Sequence, residues 1–404
     1  MKKFGNYLLM IIFLGFIFVV GAYVVVSTDK PVSFYENRAL AQKPPVTASS
    51  VMNGEFSKGF ETYFTDQFAA RDVWVSSYMN YQKLTNQTYY LNHYVANDNW
   101  IYPKPMAYTA YSSIDQSMAY LKELENYTKE KNIEFYFFSL PERSILLEEP
   151  YPDYIKSGNE KLNKDYFAET IPKEYLIYTN IEDQFRAQYS QDEIKELYFQ
   201  TDHHWNIDGA FAGYQTIIDT FNQHSQYFDE LAVTADHFEK QCFPEEHFLG
   251  SYNKQLYASV PTTDVACTMT PINFDYNELE VYAGEIREDL KVSYQQIYGK
   301  DVNKGLEYLE YAGVFTGDHR EINIINPAKI DENSKVLFVK DSYANPLTML
   351  LSQHFYQTTF YDMRYNLDRS LFDYIEANDF DMIVFLYNDI TIFPSMYDFK
   401  LELQ

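Results

Sequence analysis

The stretch TDHHWN at residues 201–206 contains a carboxylate, two imidazoles and an indole just before a helix-like segment. On an extended segment Asp202 and His204 share one side, since residues two apart point the same way. A carboxylate so placed can hold the tautomer of a catalytic histidine. His203 and Trp205 would then point away from the pair and pack against the fold or line a flank.

The stretch carries no nucleophile, and the best candidate, Ser342, lies in the later run VLFVKDSYANP at residues 336–346. Ser342 follows a strand-like segment and precedes a helical one. Open α/β sheets place their sites at the carboxyl ends of strands, where backbone N–H groups suit an oxyanion. The alternatives are a helix N-cap for Ser342 and a structural role for His204. Convergence of Asp202, His204 and Ser342 in space would favour a catalytic triad.

A metal site at Asp202, His203 and His204 is disfavoured, because adjacent histidines point opposite ways on a strand and no further ligand cluster is evident. We therefore expect no metal and no cofactor.

Helical and strand-like segments alternate from about residue 112, and this alternation predicts an α/β fold with a mainly parallel sheet covered by helices. The region at about 225–330 lacks the alternation and is predicted to be an insertion. The expected strands are at 133–140, 175–179, 336–339, 358–361 and 382–387, and the expected helices begin near 112 and span 207–223, 346–354 and 371–377.

Residues 7–26 contain no charge and follow Lys2 and Lys3. Their length suits a transmembrane helix, and the preceding lysines predict a cytoplasmic N-terminus with everything after Asp29 outside the membrane. A cleaved signal peptide is the alternative. The predicted organisation is a cytoplasmic tip and anchor at 1–28, a tether and helical region at 29–95, and a catalytic domain at 96–404.

The tether prediction rests on prolines and a glycine across residues 29–55, which make regular helix unlikely. Residues 56–83 are predicted to be helical. Their four phenylalanines at four-residue spacing are expected to pack into a core: Phe56, Phe60, Phe64 and Phe68.

Composition narrows the range of partners. A formal net charge of −26 argues against nucleic acid and against broad contact with anionic lipid headgroups. The aromatic share of 18% is compatible with glycan-binding surfaces, but composition alone favours ordinary core and interface packing. Cys242 and Cys267 form an even pair in an oxidising compartment, which favours a disulfide bond over two unpaired buried thiols.

Several separated blocks resemble the DHHW family of bacterial surface proteins: TDHHWN at 201–206, VKDSYANP at 339–346 and YDMRY at 361–365, preceded by ENRAL at 36–40 and DQFAAR at 66–71. That family is similar to the alginate O-acetyltransferases, whose catalytic domain is SGNH-hydrolase-like. The resemblance implies an SGNH-like fold with an N-terminal transmembrane helix.

The resemblance also implies roles for individual residues. Asp202 matches the triad aspartate, His204 the general base and Ser342 the nucleophile. Lys340 stands where a glycine precedes Asp-Ser in the usual pattern. The separate glycine and asparagine blocks of the oxyanion hole are not found, and TGDH at 316–319 is the candidate replacement.

The expected function is that of a membrane-anchored, extracytoplasmic O-acetyltransferase or acetyl esterase acting on a cell-surface glycan. By resemblance, a multi-pass membrane acyltransferase would supply the acetyl group. The residues expected to bind substrate are Arg364, Tyr343, His203 and Trp205. The alternative is a catalytically silent glycan-binding or scaffold protein of an envelope polysaccharide assembly.

Overall fold

The computed structural model describes residues 2–85, 87–147, 151–155, 158–230 and 233–400. Met1 and residues 401–404, which belong to the first and last predicted segments, lie outside the described residues. The chain divides into two units. Unit 1 comprises residues 1–91 and 253–261, and unit 2 comprises residues 92–252 and 262–404.

Unit 1 begins with an apolar helix, Lys2–Val26. Its segment Phe4–Val24 is the one helix among the described residues that is long and apolar enough to cross a membrane, with a mean hydropathy of 2.6. At ~1.5 Å of rise per residue this segment matches the ~30 Å hydrocarbon core of a bilayer. By length and composition it fits a single-pass anchor or a signal sequence.

Residues 29–55 are folded, which corrects the prediction of an extended tether without helix. The strands Val32–Ser33 and Arg38–Ala39 pair antiparallel, and the helix Ala48–Met52 follows. The Arg38 guanidinium donates to both carboxylate oxygens of Asp66, at 2.9 and 2.6 Å. This bidentate ion pair joins the segment to the helix Glu55–Asp66. The contact could not be predicted from the local sequence pattern.

The predicted helical region at 56–83 consists of two helices, Glu55–Asp66 and Arg71–Leu84. Ala70 ends the continuity between them, because its φ of 52° lies in the left-handed region, which no α-helix residue adopts. The expectation that the phenylalanine stripe is core is wrong. None of its four side chains is buried, and consecutive rings contact one another instead, at centroid distances of 5.8, 6.3 and 5.7 Å.

Unit 2 is built on an eight-stranded sheet. Its strands are β1 Glu134–Leu140, β2 Ile177–Asn180, β3 Glu280–Tyr282, β4 Lys291–Val292, β5 Glu321–Ile325, β6 Lys335–Lys340, β7 Gln357–Tyr361 and β8 Met382–Asn388. They lie in the order β4-β3-β5-β7-β6-β8-β1-β2. The five neighbouring strands from β7 to β2 in this order are parallel, which confirms the predicted mainly parallel sheet.

Three strands depart from the predicted layout. The strands β3, β4 and β5 come from the region that was expected to be an insertion, and they extend the sheet in antiparallel pairs. Their short lengths and mixed polarity hide the strand period that marks the buried parallel strands. Part of the region at 225–330 therefore belongs to the central sheet.

Helices cover both faces of the sheet because its strands are apolar on both sides. The helices are α1 Tyr111–Lys131, α2 Glu160–Thr170, α3 Ile181–Gln188, α4 Ile207–His224, α5 Leu347–Ser352 and α6 Leu371–Asn378. In β1, Tyr136 and Phe138 face the core shared with α3, α4 and α5, whereas Phe135 and Phe137 face the core shared with α1, α2 and α6.

Shorter elements complete the chain. The disulfide bond between Cys242 and Cys267 joins two paired strands, Phe238–Cys242 and Cys267–Pro271. The remaining strands are Tyr89–Tyr90, His93–Val95 and Ile101–Pro103, and the remaining α-helices are Arg143–Leu146, Gln191–Glu196, Ser251–Gln255 and Tyr311–Val314.

Candidate active site

Ser342 stands just past the carboxyl end of β6, at the first position of the short 3-10 turn Ser342–Ala344. The cap of this turn is Asp341, whose carboxylate accepts the N–H of Tyr343 at 2.9 Å. The other oxygen of Asp341 accepts the N–H of Asn388 at 2.8 Å. Asp341 therefore takes the N-cap role that was the alternative for Ser342, and the serine hydroxyl is left to other partners.

His204 links Ser342 to Asp202. Its Nε2 lies 2.9 Å from the Ser342 hydroxyl oxygen, and its Nδ1 lies 2.7 Å from Oδ1 of Asp202. A carboxylate only accepts hydrogen bonds, so Nδ1 carries the proton and Nε2 accepts from the hydroxyl. The structure thus brings Ser342 to Asp202 and His204 across a separation of 138 residues, in the arrangement that proton abstraction from a serine requires.

Asp202 is buried and accepts several hydrogen bonds. Its Oδ1 also accepts the backbone N–H of His204 at 3.0 Å, and its Oδ2 accepts the N–H of Ser251 at 2.6 Å. Burial alone would raise the pKa of Asp202, but the charge and hydrogen bond of His204 outweigh burial and lower it. The carboxylate is therefore ionised at neutral pH.

The turn that carries Asp202 and His204 is held by residues far along the chain. The Asp264 carboxylate accepts the N–H groups of Gln200 and Thr201, at 2.6 and 2.9 Å. Gly250 packs directly beneath the turn, because a Cβ there would lie 2.3 Å from the carbonyl carbon and oxygen of Thr201. Only a residue without a side chain fits this close approach of two backbones.

Tyr311 contacts both the histidine and the serine. Its ring lies parallel to the His204 ring, with centroids 3.8 Å apart and planes at 4°. Its hydroxyl donates to the Ser342 carbonyl oxygen at 3.2 Å. Sequence reasoning missed Tyr311, since it is one of 39 tyrosines and lies in the region predicted to be an insertion.

Comparison with known proteins shows the family of this chain. Residues 94–271 match the family model of the SGNH hydrolase-like domain of the acetyltransferase AlgX. The structure of Bacillus cereus PatB1 shares 30% sequence identity over 76% of this chain and 98% of PatB1, with a TM-score of 0.67. The chain belongs to the SGNH-hydrolase-like acetyltransferase family that includes PatB1.

Two further structures resemble this member of the PatB1 family. PatB1 with a sulfonyl adduct is 29% identical over 76% of this chain and 99% of that chain, with a TM-score of 0.65. A DHHW family protein from Eubacterium siraeum shares the fold at 15% identity, over 78% and 98% of the two chains, with a TM-score of 0.56. The resemblance recognised from the sequence is confirmed. No curated protein sequence matches the chain.

In this PatB1-family chain, His203 does not point away from the pair, which corrects the sequence-based expectation. The segment 201–204 bends instead of remaining extended, and the His203 ring lies 3.6 Å from the His204 ring between centroids. Its Nδ1 is 2.7 Å from the Ser251 hydroxyl oxygen. The bend follows from Asp202, whose carboxylate accepts a backbone N–H two residues on. His203 is partly exposed and borders the site.

Trp205 and Tyr343 are both buried, so their assignment to substrate binding is corrected. The Trp205 indole donates to the Tyr343 carbonyl oxygen at 2.8 Å. The Tyr343 hydroxyl lies within hydrogen-bonding distance of the Glu142 carboxylate and the His203 carbonyl oxygen. These two side chains pack the turn that carries His204 against the turn that carries Ser342.

Arg364 lies in the turn after β7, next to β6 at the same edge of the sheet as Ser342. Its guanidinium donates to Asp362 at 2.9 and 2.6 Å and lies 3.2 Å from Asp318. The side chain is exposed at 36%, so it remains open to a ligand from one side.

Lys340 occupies the position of the expected glycine and is buried. Its ammonium group donates to the side-chain oxygen of Asn345 at 2.7 Å. The Asn345 amide nitrogen in turn donates to Asp318 at 3.3 Å. Asp318 belongs to the TGDH segment, and its carboxylate is an acceptor only, so this side chain cannot stabilise an oxyanion. It holds Asn345 and Arg364 instead.

Among the described residues, Asp202, His203 and His204 form a group whose ligand atoms lie within 4.8 Å of one another. In His204, Nδ1 contacts Asp202 and Nε2 contacts Ser342, while Nδ1 of His203 contacts Ser251. A metal ion bound through His204 would therefore have to displace the hydrogen bond to Asp202 or the one to Ser342.

Proposed function

We propose that the protein is a membrane-anchored, extracytoplasmic O-acetyltransferase or acetyl esterase that acts on a cell-surface glycan. The observation that carries the proposal is the continuous hydrogen-bond chain from Asp202 through His204 to Ser342. Membership of an SGNH-like acetyltransferase family supports acetyl as the transferred group.

In the first half-reaction, Nε2 of His204 takes the proton of the Ser342 hydroxyl as the serine oxygen bonds to the acetyl carbonyl carbon. The tetrahedral intermediate then collapses, and the donor oxygen leaves with the proton from His204. This leaves an acetyl group on Ser342. In the second half, His204 takes a proton from a sugar hydroxyl or water, which attacks the acetyl group and releases the serine with its proton.

Two charges develop in these steps, and each has a neighbour suited to it. The imidazolium of His204 forms beside the ionised Asp202, which stabilises it through the bond at Nδ1. The oxyanion forms next to the backbone N–H of Ser342. That N–H is at the first position of its turn, where a helix offers no intrahelical acceptor.

The proposed location and acetyl donor follow from the apolar helix and the family resemblance. The N-terminal helix would place the rest of the chain on the extracytoplasmic side, where a multi-pass membrane acyltransferase would present the acetyl group. We expect a protease added to wall-free cells to digest the region after Asp29. Complete protection of that region would reverse this topology.

For the acceptor we propose a glycan, with Arg364 as its contact residue. The exposed guanidinium stands at the same sheet edge as Ser342 and can donate to sugar hydroxyls or an acidic group. His203 is partly exposed beside His204 and is also available to the acceptor.

The scaffold alternative is favoured by one observation: a buried lysine, Lys340, stands where the family pattern has glycine beside the nucleophile. Full-length protein should be tested for turnover of a fluorogenic acetyl ester and for labelling of Ser342 by a sulfonyl fluoride. We expect both, and we expect Ser342→Ala to abolish both with little change in Tm.

A matched control is Ser251→Ala, which removes a hydroxyl near the site but keeps the backbone N–H that binds Asp202. This variant should remain active and labelled. If the wild-type protein shows neither turnover nor labelling at Ser342, the scaffold function replaces the enzymatic one. If the wild-type protein is active, an oligosaccharide acceptor distinguishes a transferase from an esterase. A transferase places the acetyl group on the sugar, whereas an esterase releases free acetate.

A further inference from the structure

The helix Arg71–Leu84 of unit 1 exposes an aromatic face. Trp74, Tyr78 and Tyr81 recur at the spacing of one helix face, and they are 56%, 56% and 61% exposed. No residue between Asp72 and Lys83 is charged, and Met79 is the one residue of the helix that is buried. A helix that is largely exposed in water normally carries charge on its outer face, and this one does not.

The neighbouring helix Glu55–Asp66 has a similar character. The rings of Phe56, Phe60 and Phe64 form a ladder along it, and none of the three is buried. Tyr63, on another side of the same helix, is buried. Both helices therefore carry aromatic side chains that are at least partly exposed.

Both helices are tied to the chain immediately after the apolar N-terminal helix, which ends at Val26. The Tyr63 hydroxyl donates to the Asp29 carboxylate at 2.8 Å. The N–H of Lys30 donates to the side chain of Gln67 at 2.9 Å, and its ammonium group lies 3.2 Å from Asp72.

These bonds limit how far the helices stand from the end of the apolar helix. Four residues of extended chain reach at most ~14 Å. The headgroup layer beyond the hydrocarbon core is ~5–8 Å deep on each side. The residues bonded to Asp29 and Lys30 are therefore at or just above that layer when the apolar helix spans a bilayer.

We propose that the face carried by Trp74, Tyr78 and Tyr81 lies in the headgroup region of the same bilayer, as an interfacial contact beside the anchor. The proposal rests on the membrane anchor of the proposed function. Tyr and Trp suit this layer because their rings are apolar while one end can hydrogen-bond to water or headgroups. The contact needs no anionic lipid, since the stretch from 73 to 82 has no positive charge.

Fluorescence of full-length protein in phosphatidylcholine vesicles tests the proposal. The chain has three tryptophans, and the other two, Trp100 and Trp205, are buried in unit 2. The difference between wild type and Trp74→Phe therefore isolates Trp74. We expect vesicles with a headgroup nitroxide to remove this difference signal and aqueous acrylamide to leave most of it. The conservative change to phenylalanine keeps an aromatic ring on the helix, so the variant should fold.

Vesicle flotation distinguishes failure of the membrane anchor from failure of the interfacial contact alone. If the protein does not float with the vesicles, the anchor fails and this contact fails with it. If the protein floats but acrylamide quenches Trp74 and the nitroxide does not, the anchor stands and the interfacial contact is refuted. If neither quencher reaches Trp74, the face is covered by protein, and the contact with lipid is likewise refuted.

Discussion

The ring of Tyr311 lies flat on the imidazole of His204, 3.8 Å away between centroids, while its hydroxyl donates to the carbonyl oxygen of Ser342. One side chain thus holds the plane of the histidine ring and touches the backbone of the serine turn. With that plane held, Nδ1 and Nε2 of His204 point to Asp202 and Ser342 at the same time. The aromatic face also favours the imidazolium that forms during proton transfer.

We therefore expect Tyr311→Leu to lower kcat for acetyl-ester turnover. Loss of a contact worth about 1 kcal/mol corresponds to roughly fivefold. Tyr311→Phe keeps the ring and should retain most activity. Equal activities for the two variants would show that stacking plays no part.

Gly250→Ala should disrupt the site from a distance. The added Cβ would meet the carbonyl group of Thr201 at 2.3 Å, so the turn carrying Asp202 must move. Overpacking of this kind costs about 1–3 kcal/mol, and turnover should fall together with Tm. Gly317→Ala is the control, since its Cβ would meet only the ends of side chains at 3.5 and 3.8 Å and a backbone oxygen at 3.9 Å. A fully active Gly250→Ala protein would contradict this account of the turn.

The Arg38–Asp66 pair predicts a pH dependence of stability. The hydrogen bond from Arg38 lowers the pKa of Asp66 from 3.8 to about 2. A lowered pKa means that the carboxylate stabilises the fold fully above 3.8, and that this contribution is lost as the pH falls towards 2. Tm of the wild type should drop across this window, and Asp66→Asn should have a lower Tm at neutral pH and a flatter profile.

Asp72→Asn is the matched control for that experiment, because Asp72 forms a more exposed ion pair with Lys30. Such pairs contribute little, so its Tm profile should follow the wild type. Identical profiles of Tm against pH for Asp66→Asn and wild type would show that the Arg38–Asp66 pair does not stabilise unit 1.

The disulfide bond between Cys242 and Cys267 predicts that unfolded, non-reduced protein contains no free thiol. The two cysteines are 25 residues apart, and closing a loop of this size contributes on the order of 3 kcal/mol to the free energy of unfolding. Mass labelling of thiols checks the pairing, and denaturant titration with and without reductant checks the contribution. The free energy of unfolding of a double Cys→Ser variant should not change with reductant. That result would show that the change in the wild type arises from this bond.

The sequence by itself determined the alternating elements of unit 2 and the apolar N-terminal helix. Buried strands such as β1, β6 and β8 read as short apolar runs, and α4 shows a helical period, because burial shapes composition locally. It also pointed to Asp202, His204 and Ser342, since their flanking blocks carry a recognisable pattern. Those features depend on residues close together in the chain.

Only the tertiary structure decided which distant residues complete the site. Tyr311, Asp264 and Gly250 have no distinguishing neighbours in sequence. Yet Asp264 and Gly250 contact the turn that carries His204, and Tyr311 contacts both His204 and the backbone of Ser342. The tertiary structure likewise decided the antiparallel edge of the sheet. The physical reason is that local periodicity reports which side of a segment is buried, whereas the topology of the chain decides what that side is buried against.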